Sequence, residues 1–186
     1  MLVVVFSGPP CTGKSTVASK LAYVMGATHL EMDAVRLRLI PNSHTAEDRQ
    51  VAYRAMHLLA ESLQIVRRSV VLDATYGPFS SRRDLAAILE RNAARSYLVQ
   101  CRLDGVEAAK RFQLRRTNAP GHAATDLDEA RVTLLANNFP YSNTGCVLDT
   151  AMNVDRCVKT VLQYIYDGPE QIDLSEWLRD PGGQRI

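Results

Sequence analysis

Residues Gly8-Pro9-Pro10-Cys11-Thr12-Gly13-Lys14-Ser15 constrain this chain more than any other stretch. They satisfy the pattern G-x-x-x-x-G-K-[ST], with an apolar run at residues 2–6 before them and a helical pattern at 14–25 after them. A buried strand, a glycine turn and a helix in that order build an anion site from the main chain. Gly8 and Gly13 permit backbone angles that other residues resist, so the backbone can approach a phosphate closely. Successive N–H groups then point into one concavity, and the helix adds its positive dipole end. In this pattern Lys14 reaches the β- and γ-phosphates, the Ser15 hydroxyl ligates Mg²⁺, and Thr16 supports the α-phosphate. The loop residues Gly8 to Thr16 are therefore expected to hold a nucleoside triphosphate, ATP with Mg²⁺. Cys11 reads either as a small filler or as a thiol whose pKa is lowered at a helix N-terminus.

The chain has 186 residues, 46% of them hydrophobic, which suits one domain with a sizeable core. Its net charge of +2, from 22 basic and 20 acidic residues, gives no general pull toward nucleic acid or membranes. Any anionic ligand must be met by a local cluster. Cys11, Cys101, Cys146 and Cys157 show no CxxC spacing, and His29, His44, His57 and His122 each stand alone. No Cys/His metal site is expected, and the thiols read as reduced in a cytoplasmic protein. The opening residues are too short for a signal h-region, and no apolar run reaches the roughly 18 residues of a membrane span.

Short apolar runs alternate with longer helical patterns. Strands are expected at 2–6, 28–32, 69–72, 97–103 and 146–148. Helices are expected at 14–25, 34–40, 46–67, 81–94, 106–116, 127–138 and 154–166, with Asp33 and Ser80 as N-caps and Pro41 as a stop. Such alternation argues for an α/β domain with a parallel sheet. Residues 117–125, rich in small residues with Pro and Gly, read as a mobile loop. Trp177 is expected to pack the tail back onto the domain.

Three further segments bear on the γ-phosphate. Asp33 ends the second strand and Arg36 follows three residues on, on one helix face. A kinase needs a carboxylate to take the proton of the attacking hydroxyl and a cation to hold the acceptor. An N-cap Asp beside a solvated Arg explains the same spacing. Asp73 closes a third apolar strand, with Thr75 two residues on, as in a strand whose carboxylate organises Mg²⁺. Arg82 and Arg83 open the next helix, either for a ligand or as a solvated helix end. Arg111 and Arg115 share a helix face that feeds the 117–125 loop, the form of a closing lid that brings guanidinium groups onto a transferring phosphoryl group.

Together "GPPCTGKST", "MDAVR", "VVLDAT" with "SSRRDL", "KRFQLRR" and the later "NNFPY" resemble the P-loop kinase superfamily. The likeness is to AAA_33-type kinase domains, similar to the polynucleotide 5′-kinase domain, chloramphenicol phosphotransferase and zeta toxins, over residues 1–167. The resemblance implies a three-layer α/β/α sandwich with a five-stranded parallel sheet ordered 2-3-1-4-5 and a lid at about 111–125. It implies Asp33 as general base, Arg36 on the acceptor, Arg111 and Arg115 as lid arginines with Arg115 the phosphate contact, and Asp73 near Mg²⁺. Residues 168–186 have no counterpart there and read as a tail on the same domain.

The expected activity is ATP-dependent transfer to a hydroxyl, with Lys14, Asp33 and Arg115 as the catalytic set. The acceptor is a small molecule or a polynucleotide 5′-OH end, the former favoured because no basic stripe with interleaved aromatics is present. A nucleoside monophosphate kinase and a regulatory ATPase without acceptor are the alternatives. A phosphate acceptor needs no carboxylate base, and a regulator has no use for Asp33.

Overall fold

The computed structural model describes residues 1–41, 45–118, 127–168 and 171–179. Five strands form one parallel sheet: β1 (Leu2–Ser7), β2 (Thr28–Glu31), β3 (Val70–Asp73), β4 (Arg95–Arg102) and β5 (Cys146–Asp149). Their order is β2-β3-β1-β4-β5, as the family resemblance implies. β1 lies at the centre, with Val5 beside Leu72 on one side and Leu98 on the other.

The continuous apolar run of β1 follows from burial on both faces. Val3 and Val5 point into one core layer, and Val4 and Phe6 into the other, the two-residue alternation of a strand. On the first face lie α2 (Met32–Leu39), α3 (Ala46–Ile65) and α4 (Phe79–Arg91), through Met32, Tyr53, Met56, Leu85 and Leu89. The second face is covered by α1 (Lys14–Met25) and α7 (Val154–Asp167), through Val17, Leu21, Val161 and Ile165. A third, smaller cluster joins α5 (Gly105–Asn118) to α6 (Glu129–Asn137) through Phe112 and Val132.

Several element ends differ from the sequence expectation for local reasons. Glu31, not Asp33, is the N-cap of α2, so Asp33 sits within the first helical turn. Pro78 precedes α4, and Ser81 rather than Ser80 braces that end by donating from its hydroxyl to the Pro78 carbonyl at 2.8 Å. Thr45 and Asp48 form a reciprocal capping box that starts α3. That helix stops at Ile65, and Arg67 then adopts φ 58, which turns the chain into β3. α5 continues through Asn118, into the segment read as a loop. Residues 119–126, the rest of that loop and of the expected lid, lie outside the described residues.

The tail contributes to the first core layer. α8 (Leu174–Trp177) buries Trp177 to 1% exposure, against Tyr76 at 5.6 Å between ring centroids. Arg82, read as a ligand group or a solvated helix end, is instead buried and donates from Nη1 to the Trp177 carbonyl at 3.0 Å. The Ile172 amide donates to the Ser96 carbonyl at 2.9 Å, which ties the tail to β4.

Behind Tyr76 the stack continues into His57, ring against ring at 5.9 Å, with Nε2 3.2 Å from the Tyr76 hydroxyl. Burial lowers the His57 pKa from 6.5 to about 4, although Asp84 pulls it upward.

Two stability measurements follow. Trp177→Ala should lower unfolding free energy by about 3–5 kcal/mol in a urea titration, because it leaves a large cavity in the first core layer. The unfolded chain binds a proton at His57 between pH 6.5 and about 4 that the folded chain excludes. Stability should therefore be full above that window and fall as pH drops through it, by up to about 3 kcal/mol. Urea titrations from pH 7 to pH 4 should show this loss in the native chain and not in His57→Gln.

Candidate active site

β1 runs into the loop at Gly8, which has φ 143 and lies so close to β4 that a Cβ there would sit 2.5 Å from the Cys101 carbonyl oxygen. No side chain fits that contact, so glycine is required by packing as well as by dihedral angle. Cys11 and Gly13 also have positive φ, 62 and 83. The turns fold the loop over α1, braced by Thr12 Oγ1 donating to the Pro9 carbonyl at 2.9 Å. Gly13 caps α1 without any side-chain hydrogen bond, and the first turn of α1 carries no acidic residue. Its first amides therefore lack an intrahelical acceptor and a capping side chain, the arrangement that takes an anion.

Beside the loop, Lys14 donates from Nζ to the Pro9 carbonyl at 3.0 Å, and Ser15 Oγ donates to Glu31 Oε1 at 3.1 Å. Glu31 ends β2 in register with Asp73, which ends β3. Sequence reasoning passed over Glu31. The signal was a carboxylate at a strand end, but Asp33 two residues on drew the assignment. Asp73 is 2% exposed, and its Oδ2 has no hydrogen-bond partner, with His29 Nε2 3.5 Å away.

Lys14, Ser15, Glu31, Met32, Asp33, Asp73, Ala74 and Thr75 line one open cleft of about 240 Å³. The structure thus brings the phosphate loop, the Asp73 carboxylate and Asp33 to a single place, at the C-terminal ends of the strands, where open α/β sheets bind ligands. The Asp33 side chain is 54% exposed. Arg36 is not at the cleft surface: its side chain is 2% exposed, and its Nε lies 3.8 Å from Asp33 Oδ1. It stands beside Asp33 and is not among the residues that line the cleft.

The donor set fits a hydrated Mg²⁺ bound with a polyphosphate. A hydroxyl on the first helical turn faces two strand-end carboxylates, one of which carries a buried oxygen with no hydrogen bond. These are hard oxygen ligands of the kind Mg²⁺ takes, mostly through its own water.

The α5 arginines are not among the residues that line this cleft. Arg111 donates from Nη2 to the Thr150 carbonyl at 2.9 Å, and its Nη1 lies 3.5 Å from the Thr12 carbonyl. The guanidinium thus bridges the phosphate loop and the turn after β5. Arg115, one turn further along α5, is exposed to solvent. Arg115, Lys14 and Arg111 all act to lower the Cys11 pKa, but burial outweighs them and pushes the thiol up. The reading of Cys11 as an acidified thiol is therefore corrected: it fills the loop.

The segment after β3 is fixed from two directions. The Thr75 carbonyl accepts the Gly8 amide at 3.2 Å and the Ser7 hydroxyl at 3.0 Å. The Tyr76 amide, at φ 51, donates to the Tyr53 hydroxyl of α3 at 3.0 Å.

This parallel sheet and phosphate loop define the P-loop NTPase α/β fold. The chain belongs to the AAA_33 family, an AAA domain, whose model matches residues 3–140. No curated protein matches the chain in sequence. Among solved structures, a gluconokinase from Sinorhizobium meliloti 1021 is similar, at 19% identity and TM-score 0.65, over 89% of this chain and 91% of its own. The Mycobacterium tuberculosis APS kinase CysC in complex with AMPPNP and APS aligns at 17% identity and TM-score 0.63, over 87% and 95%. An Acinetobacter baumannii shikimate kinase in complex with shikimate aligns at 15% and TM-score 0.57, over 91% and 95%.

Replacing Gly8 tests the packing that sets the loop. Gly8→Ala should cost about 1–3 kcal/mol of stability, read by urea titration, because the new Cβ cannot share space with the Cys101 carbonyl. A variant as stable as the native chain would show that the loop is not seated on β4.

Proposed function

We propose that this chain is an ATP-dependent kinase that transfers the γ-phosphate of Mg-ATP to a hydroxyl of a small molecule. The observation that carries this reading is a solvent-facing carboxylate, Asp33, in the same cleft as Lys14 and Ser15. The kinase names of the structural neighbours support it as analogy.

The main-chain amides of Cys11 to Thr16 hold the polyphosphate, joined by Lys14 once its ammonium leaves the Pro9 carbonyl. Ser15, Asp73 and Glu31 face the Mg²⁺ position. When bound, Mg-ATP supplies the phosphoryl group, with part of its charge already neutralised. Asp33 accepts the proton of the acceptor hydroxyl as that oxygen attacks. Arg36, beside Asp33, is a positioning residue. Arg115 faces the transferring group, and Arg111 holds the phosphate loop against the turn after β5.

A phosphate-bearing acceptor fits less well. The cleft wall formed by β2, β3 and α2 offers Glu31, Asp33 and Asp73, and like charge disfavours an anion there. A regulatory ATPase has no role for Asp33. All four cysteines are free thiols, which fits a reducing, cytoplasmic setting.

Labelled Mg-ATP should reveal the acceptor in a panel of sugars, nucleosides, aminoglycosides and 5′-OH oligonucleotides. With that acceptor, Asp33→Asn should lower kcat by about 10²–10⁴ and leave Mg-ATP affinity unchanged. Lys14→Ala should weaken both affinity and rate. An Asp33→Asn enzyme that keeps most of its rate would refute the base assignment.

A further inference from the structure

Helix α3 is apolar on two opposite faces. Its inner face buries Ala52, Tyr53, Met56, His57, Ala60 and Gln64. On the opposite side, Val51, Leu58 and Ile65 are 48%, 61% and 72% exposed. They recur every seven residues, two helical turns apart, and so form one straight stripe of about 21 Å. Between them along the stripe stand Ala55 and Ser62, both small, and the Ser62 hydroxyl is already satisfied by the Leu58 carbonyl at 2.9 Å. Leu59 and Val66, 48% and 64% exposed, widen the stripe on one side. Scattered exposed apolar residues are ordinary, but a heptad stripe on the outer pole of a 20-residue helix is the pattern of a helix–helix seam.

We propose that this face of α3 binds the same face of a second copy of the chain, with the two helices antiparallel around a two-fold axis at Leu58. The stripe is symmetric about that residue: Val51 meets Ile65 of the second copy, Leu58 meets Leu58, and Ala55 and Ser62 let the backbones approach. The charges match in the same register. The first turn of α3 is acidic, with Glu47 and Asp48, and basic Arg67 and Arg68 follow its last turn. Antiparallel pairing brings the acidic first turn of each α3 toward the Arg67–Arg68 end of the other, twice by symmetry, and opposes the helix dipoles. A membrane surface fits less well, because the acidic end of the stripe would face anionic headgroups. The pairing also backs the helix whose inner face holds the Tyr76 amide through Tyr53, next to the cleft.

Sedimentation equilibrium of the full chain at micromolar concentrations tests this. The expected mass is twice the 20.6 kDa of one chain. Leu58→Glu with Ile65→Glu should sediment as a monomer that keeps the native far-ultraviolet circular dichroism and loses the concentration dependence of its melting temperature. Glu47→Arg alone should weaken association about tenfold, the reversal of an end-to-end charge attraction made twice by symmetry, and adding Arg67→Glu with Arg68→Glu should restore it. A monomeric native chain, a dimer that survives the double glutamate variant, or a charge swap that fails to restore pairing would overturn the proposal. So would a monomer that co-floats with phosphatidylcholine–phosphatidylserine vesicles.

Discussion

The site depends on how the end of β1 is held against the end of β3. One carbonyl, that of Thr75, accepts both the Gly8 amide and the Ser7 hydroxyl, while the Ala74 amide donates to the Phe6 carbonyl at 3.3 Å. These bonds continue the β1–β3 register past the strands and fix where the loop begins. The Cys101 carbonyl of β4 then leaves Gly8 no room for a side chain. The loop is thus wedged between the two strands that flank β1, and its amides point where they do because the sheet does not yield. The strand order matters for the same reason. It sets Asp73 beside the loop and carries Glu31 and Asp33 one strand further out, so the carboxylates fall in sequence across a single cleft.

Glu31, Asp33 and Asp73 line that cleft with Lys14, while Arg111 reaches the phosphate loop from α5. On the proposed reading, a polyphosphate on the loop would meet Lys14 and the loop amides and, with Mg²⁺, the oxygen ligands of the cleft. The tail belongs to the same construction at one remove. Trp177 packs on Tyr76, whose amide and hydroxyl are held by Tyr53 and His57, and that residue directly follows the Thr75 carbonyl.

The phosphate loop and the parallel sheet were legible because their signals are local. A G-x-x-x-x-G-K-S turn after a buried strand has few structural solutions, and the apolar run of β1 announces burial on both faces. The sheet order was not legible from periodicity and came from the family likeness. Glu31 was overlooked because nothing in its neighbourhood says that it faces Ser15; only the β2–β3 register brings it there. Arg36 and Arg82 read as solvent or ligand cations because arginine is seldom buried, yet both are taken into the interior, one beside Asp33 and the other on the Trp177 carbonyl. The helix ends slipped by a residue or two where Glu31 and Pro78 took the cap positions expected of Asp33 and Ser80.

On the proposed reading the amides of Cys11 to Thr16 grip a triphosphate. Backbone amide NMR during titration with Mg-AMPPNP tests it most directly. The expected result is saturable one-to-one binding, with the largest shifts at the amides of Gly8 and residues 11 to 16 and weaker binding when ADP is substituted. Absence of binding, or shifts centred elsewhere on the molecule, would contradict it.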